Sequence, residues 1–152
     1  MKLAEALVLR ADLQNRIEQL RGRLLASALV QEGDEPPENP QVLFAELNDL
    51  LEQLAGLVLA INRTNLQTVV VEQTSITGAL AQRDALDRRI SILEQVASTA
   101  SQRVDRYGRS EIRRVSTVDV AALRRELDGL AQQRRALDTA IQATNWTVDL
   151  AE

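Results

Sequence analysis

Apolar residues recur at helical spacing along four stretches of the chain. The clearest is Leu43, Leu47, Leu50, Leu54, Leu57 and Ile61, a 4,3,4,3,4 pattern that lines one narrow helix stripe. The first stretch runs Leu3, Leu7, Leu13, Ile17, Leu20 and Leu24, with Arg10 where another apolar residue is due. The third runs Leu80, Leu86, Ile90 and Leu93, with Arg83 in the matching gap. The fourth runs Val120, Leu123, Leu127, Leu130, Leu137 and Ile141, interrupted by Arg134. Each pattern repeats with the helical period and not with the alternation of a strand, so four long helices are expected.

The four are written as two pairs. Placing Ala6 to Leu20 over Ala79 to Leu93 matches Arg10 with Arg83, Leu13 with Leu86, Arg16 with Arg89 and Leu20 with Leu93. Placing Leu43 to Asn65 over Leu123 to Asn145 matches Glu46 with Glu126, Leu50 with Leu130, and AINRTN with AIQATN. Leucine matches alone arise between any two heptad helices; the matched arginines and the shared Thr-Asn endings favour duplication of an αα-hairpin. The expected fold is all-α: two antiparallel αα-hairpins, about 1–65 and about 77–148, with coiled-coil-like packing in one helical domain spanning 1–152.

Punctuation between the helices differs. Gln31 to Pro40 holds a Pro-Pro pair, several acids and a third proline, and must leave the helix. Leu66 to Thr77 is rich in β-branched residues and predicts a short extended pair, with Thr77 capping the third helix. Ser101 to Asp119 connects the second hairpin and ends in Ser116-x-x-Asp119, read as a capping box. Asn65 and Asn145 close their stripes, where asparagine terminates helices and bonds the last carbonyls. The fold-back of each hairpin predicts Asn65 near Leu3 and Asn145 near Ile76 and Thr77.

Composition narrows the chemistry. The chain has 152 residues, no Cys and no His, so thiolate nucleophiles, imidazole bases and zinc sites built on those ligands are excluded. Neither a glycine-rich phosphate loop nor an EF-hand spacing occurs, and the di-iron Glu-x-x-His pattern needs the missing histidine. The expectation is a non-enzymatic protein without a cofactor or resident metal. Its 18 basic and 22 acidic residues alternate in sign, which describes solvated helix faces and does not favour nucleic acid as a partner. Glu5 and Asp12 break the apolar core a signal peptide needs, and no apolar run approaches the ~20 residues of a membrane span, so a cytoplasmic location is expected.

Two groups of residues stand out. Arg103, Arg106, Tyr107, Arg109, Arg113 and Arg114 gather cations around an aromatic ring, a composition suited to phosphate or nucleic acid, although Asp105 and Glu111 dilute it. Arg10 and Arg83 interrupt apolar stripes, and a buried guanidinium needs carboxylates, here some of Glu46, Asp84, Asp87, Glu126 and Asp138. The plainer reading is a structural ion pair fixing helix register; the other is an interface with a second chain. Trp146, directly after Asn145, is expected to anchor the tail to the bundle or to a neighbour.

MKLAEAL, INRTN, RDALDRRI, DRYGRSEIRRVSTVDV and IQATNWT together resemble a family of small bacterial helical proteins of unknown function, some of which carry the label septicolysin. The resemblance spans nearly the whole chain. It implies a cytoplasmic all-helical subunit of a closed homo-oligomer, a hexamer, and offers no catalytic residues. The label would imply a pore former, but the sequence shows no spanning segment and no long basic-flanked amphipathic face. The function expected is therefore structural or scaffolding, through self-assembly by helix packing. The alternative is a binding module for anions or nucleic acid that uses the Arg103 to Arg114 loop.

Overall fold

The computed structural model describes residues 1–102 and 114–151. Its order is α1 (Leu3–Ser27), α2 (Pro40–Gln67), β1 (Val69–Val71), β2 (Thr74–Ser75), α3 (Ile76–Ala100) and α4 (Val120–Thr147). The helix lengths repeat as 25, 28, 25 and 28 residues, as a duplicated hairpin requires. The described residues divide into two compact units, Met1–Thr68 with Gln142–Glu152, and Val69–Ile141.

In the first unit α1 packs on α2. Leu13, Leu20, Leu43 and Leu50, each no more than 2 % exposed, form the centre, with Ile17, Leu24, Leu47, Leu54 and Leu57 against them. Full burial of each leucine is worth about 1.5–3 kcal/mol, so these side chains hold the two helices together. Asn39 caps α2 by accepting from the Gln41 N–H at 2.9 Å, and Pro40 takes the first helical position, where its missing N–H costs nothing. Beyond α1 the chain turns at Gly33, whose φ of +90° suits glycine alone.

In the second unit β1 and β2 form the expected antiparallel pair, with Val69 opposite Ser75 and Val71 opposite Thr74. Glu72 and Gln73 make the turn with φ of 43° and 67°, the left-handed geometry that matches strand twist but strains side chains. Ser75, not Thr77, caps α3: its hydroxyl accepts from the Gly78 N–H at 3.2 Å. The extended backbone at Ser75 aims its side chain at the first turn, whereas Thr77 already lies inside the helix. A β-carbon on residue 78 would stand 2.9 Å from Thr74 Cγ2, so glycine there lets α3 start directly off β2. Asp119 caps α4 itself, accepting from the Ala122 N–H at 3.0 Å, while the Ser116 hydroxyl turns to the Val118 backbone. The capping box read from Ser116 is thus shifted by one turn.

Candidate functional site

Of the arginine-rich candidates, Arg103, Arg106, Tyr107, Arg109 and Arg113 lie outside the described residues. Arg114 is described and exposed. It lines an open cleft of about 730 Å³ in the second unit, between the end of α3 (Ile92, Val96, Thr99) and Val115 and Val118. Arg114 is the one ionisable residue among the cleft's described lining. Such a lining offers an apolar wall and one cation, which suits binding an anion more than proton transfer.

The stripe-interrupting arginines are resolved differently in the two hairpins. Arg83 pairs with Asp138 at 3.2 Å and Asp84 at 3.5 Å, both among the acids expected for it. Two further pairs join α3 to α4: Arg134 Nε donates to Asp87 at 2.9 Å, and Arg89 bonds Glu126. The Asp87 hydrogen bond pushes the Arg134 pKa above its ordinary value. Glu126 therefore serves Arg89 and not Arg83. Arg10 has no such seam: among the described residues no acid pairs with it, and its Nε, like that of Arg83, is buried without a hydrogen-bond partner. The duplication explains why, because the positions of Asp84 and Asp138 are occupied in the first hairpin by Ala11 and Val58, and that of Arg134 by Leu54. Glu46, one of the five acids expected for the two arginines, bonds Arg23 at 3.4 Å. Arg23 also donates to Glu38 at 2.9 Å, a hydrogen bond that holds the Glu38 carboxyl below the usual carboxylate range. The first hairpin thus pairs its charges at Arg23, and the second along the α3–α4 seam of Arg83, Arg89 and Arg134.

A third constellation, missed by sequence reasoning, ties the tail into the first unit. The Leu3 N–H donates to the Val148 carbonyl at 3.0 Å, and the Leu150 N–H to the Met1 carbonyl at 2.9 Å. Lys2 Nζ reaches Asp149 at 2.8 Å and the Thr147 carbonyl at 3.0 Å. The Lys2 hydrogen bond lowers the Asp149 pKa. Buried Thr64 completes the arrangement: its hydroxyl donates to the Ala60 carbonyl at 2.8 Å and accepts from the Ala151 N–H at 2.9 Å. The start of α1 and the end of α2 are therefore joined through the tail. The available signal was the threonine shared by both closing phrases, not the asparagine.

Asn65 and Asn145 do not end their helices, which run two residues further, to Gln67 and Thr147. Among the described residues only Glu72 and Gln73 are non-glycine residues with positive φ, so neither asparagine adopts the left-handed cap. Asn145 is buried, its Oδ1 without a hydrogen-bond partner, and Asn65 is half-buried. Trp146 is 63 % exposed and does not pin the tail to its own chain; backbone bonds do. Among the described residues no group of three or more acidic side chains is placed to hold a metal ion. No described helix is long and apolar enough to cross a membrane.

These elements define an all-α protein of two related αα-hairpins joined by a two-stranded turn. The chain belongs to the family described as a family of unknown function (DUF6847), which matches residues 10–150. It is similar to a functionally unknown conserved protein from Corynebacterium diphtheriae, whose crystal structure superposes with a TM-score of 0.88 at 42 % identity, covering 99 % of this chain and 98 % of that one. Comparison with curated proteins finds no match. Neither the family description nor that of the solved structure mentions septicolysin.

Proposed function

We propose that the protein is a non-enzymatic structural subunit that assembles with copies of itself through helix packing. The observation that carries this reading is the unequal burial of duplicated positions. Leu13, Leu20 and Leu43 are buried, while their counterparts Leu86, Leu93 and Leu123 are only half-buried, although Leu130 and Ile141 are buried like Leu50 and Ile61. A chain that repeats a leucine stripe but covers the second copy less completely leaves apolar surface for a partner, and the simplest partner of matching shape is another copy. The resemblance noted in the sequence supplies the closed hexamer and the cytoplasmic location of this reading. Multi-angle light scattering of the purified chain tests it. A mass several times the 16.9 kDa of one chain is expected, and a monomer at tens of micromolar would overturn it.

A second reading rests on Arg114 beside its cleft of mixed polar and apolar lining: the loop from Arg103 to Arg114 would bind a phosphate-bearing ligand or nucleic acid. Binding that weakens steeply with salt and is lost on joint replacement of Arg109, Arg113 and Arg114 would favour it. Salt-insensitive or absent binding would dismiss it.

A further inference from the structure

Helix α2 has a second apolar face. Opposite the flank of its buried stripe, Phe44, Leu51, Leu59 and Leu66 stand 48, 45, 52 and 65 % exposed. With Asn48, Ala55 and Asn62, also exposed, they follow the spacing 4,3,4,4,3,4, which keeps to one side of a helix over roughly 33 Å. The four charged residues of α2, Glu46, Asp49, Glu52 and Arg63, all fall outside this series. The duplicate helix is different. At the corresponding places α4 carries Arg124, Asp128 and Arg135, as a solvated face should.

The series is a palindrome about Ala55. Four residues to either side lie Leu51 and Leu59; seven residues away lie Asn48 and Asn62; eleven away lie Phe44 and Leu66. Two of the three pairs are thus identical, and the third sets apolar Phe44 against apolar Leu66. A two-fold antiparallel contact brings residue i onto residue j while j meets i, so a mirrored series sets apolar side chains on apolar ones and amide on amide. An unrelated partner imposes no such symmetry. We infer that the outer face of α2 is a self-complementary surface on which a second copy of the chain docks antiparallel, across a two-fold axis through Ala55.

In that arrangement Leu51 packs on Leu59 of the other copy, Phe44 on Leu66, and Ala55 meets its own counterpart. Small Ala55, with Gly56 beside it and open space around the latter, lets the helix axes approach at the short end of the usual range. Asn48 and Asn62 each carry a donor and an acceptor, so they close reciprocal amide bonds and fix the register, as a lone polar residue does in a coiled coil. The strip measures on the order of 300 Å² in projection, within the range of the largest apolar patch on an ordinary soluble chain, a patch that is often functional. This inference rests on the self-assembly reading and adds to it a second contact face, on α2 and distinct from the half-buried stripe of α3 and α4, with its direction and symmetry.

Two helices packed on small residues bring facing Cα atoms within roughly 4–6 Å, inside the range a disulfide spans. The chain has no cysteine of its own, so Ala55→Cys reports directly. Under mild oxidation at micromolar concentration the full-length variant should form a covalent dimer, at least about tenfold more than Arg135→Cys at the duplicate position. Equal cross-linking of the two variants would overturn the inference. Leu51→Glu should dissociate this contact without loss of helical circular dichroism, and adding Leu59→Lys should restore it, because the two sites are neighbours only across the axis. Restoration by Leu59→Lys failing while Ala55→Cys stays uncross-linked rejects the face. If the native chain still associates by light scattering in that case, self-assembly stands and only this surface is wrong; if it is monomeric, both fall.

Discussion

Leu20 and Leu93 occupy the same place in the two hairpins, yet Leu20 is 1 % exposed and Leu93 is half-buried. Truncating them therefore separates what the fold buries within one chain from what it leaves for assembly. Leu20 sits among Leu13, Leu43 and Leu50, so Leu20→Ala removes contacts and leaves a cavity, a change that costs about 3 kcal/mol. Leu93→Ala, at a less completely buried position, should cost less, about 1.5 kcal/mol, in the isolated chain. With a urea m-value of about 2 kcal/mol/M, the midpoints should fall by about 1.5 M and about 0.7 M. The assay is urea unfolding followed by far-ultraviolet circular dichroism at sub-micromolar protein, repeated at a concentration where the chain associates. Assembly that covers the second stripe should increase the Leu93→Ala deficit while that of Leu20→Ala stays constant. Equal deficits at low concentration would refute the claim that the duplicated stripes are buried unequally.

Four further outcomes are expected. Thr64→Val, which deprives the Ala151 N–H of its acceptor, should cost about 1 kcal/mol and speed hydrogen exchange at Ala151 and Leu150; unchanged exchange would contradict the tail linkage. The Asp149 pKa lies below its ordinary value, so its contribution is complete above the unfolded carboxyl pKa and disappears as pH falls through the depressed one. In an NMR titration its carboxyl should protonate below the ordinary aspartate value, and Lys2→Ala should return it towards that value. Asp119→Ala should destabilise by about 1 kcal/mol in thermal unfolding and Ser116→Ala by much less, since only Asp119 caps α4; the reverse order would restore the capping-box reading. Replacing Glu72-Gln73 by Asn-Gly should stabilise by about 1 kcal/mol, because both residues hold positive φ; a lower melting temperature would argue against that turn.

The heptad of α2 and the paired arginines were enough to specify four helices and their duplication, because burial of a stripe has a helical period that survives without tertiary context. Helix ends were less legible. Ser75 and Thr77 are chemically equivalent caps, and only the extended backbone at Ser75 chooses between them. Asn65 and Asn145 looked like terminators, but α2 and α4 continue past them, and the threonine before Asn65 does the joining. For Arg83 the sequence offered several acids; the pairing of α3 with α4 selects Asp138. The orphaned Arg10 was legible in principle, since Ala11 and Val58 stand where its duplicate has aspartates. The outer face of α2 went unnoticed because the inner leucines already satisfied the pattern, and a palindrome is seen only once exposure separates the two series.

The account depends on copies of the chain completing one another's apolar faces, and contacts between chains are directly visible to isotope-filtered nuclear Overhauser spectroscopy on a mixture of labelled and unlabelled protein. Intermolecular methyl cross-peaks between Leu51 and Leu59 are expected. A spectrum with strong intramolecular peaks from Leu13, Leu20, Leu43 and Leu50 and none between chains would contradict it.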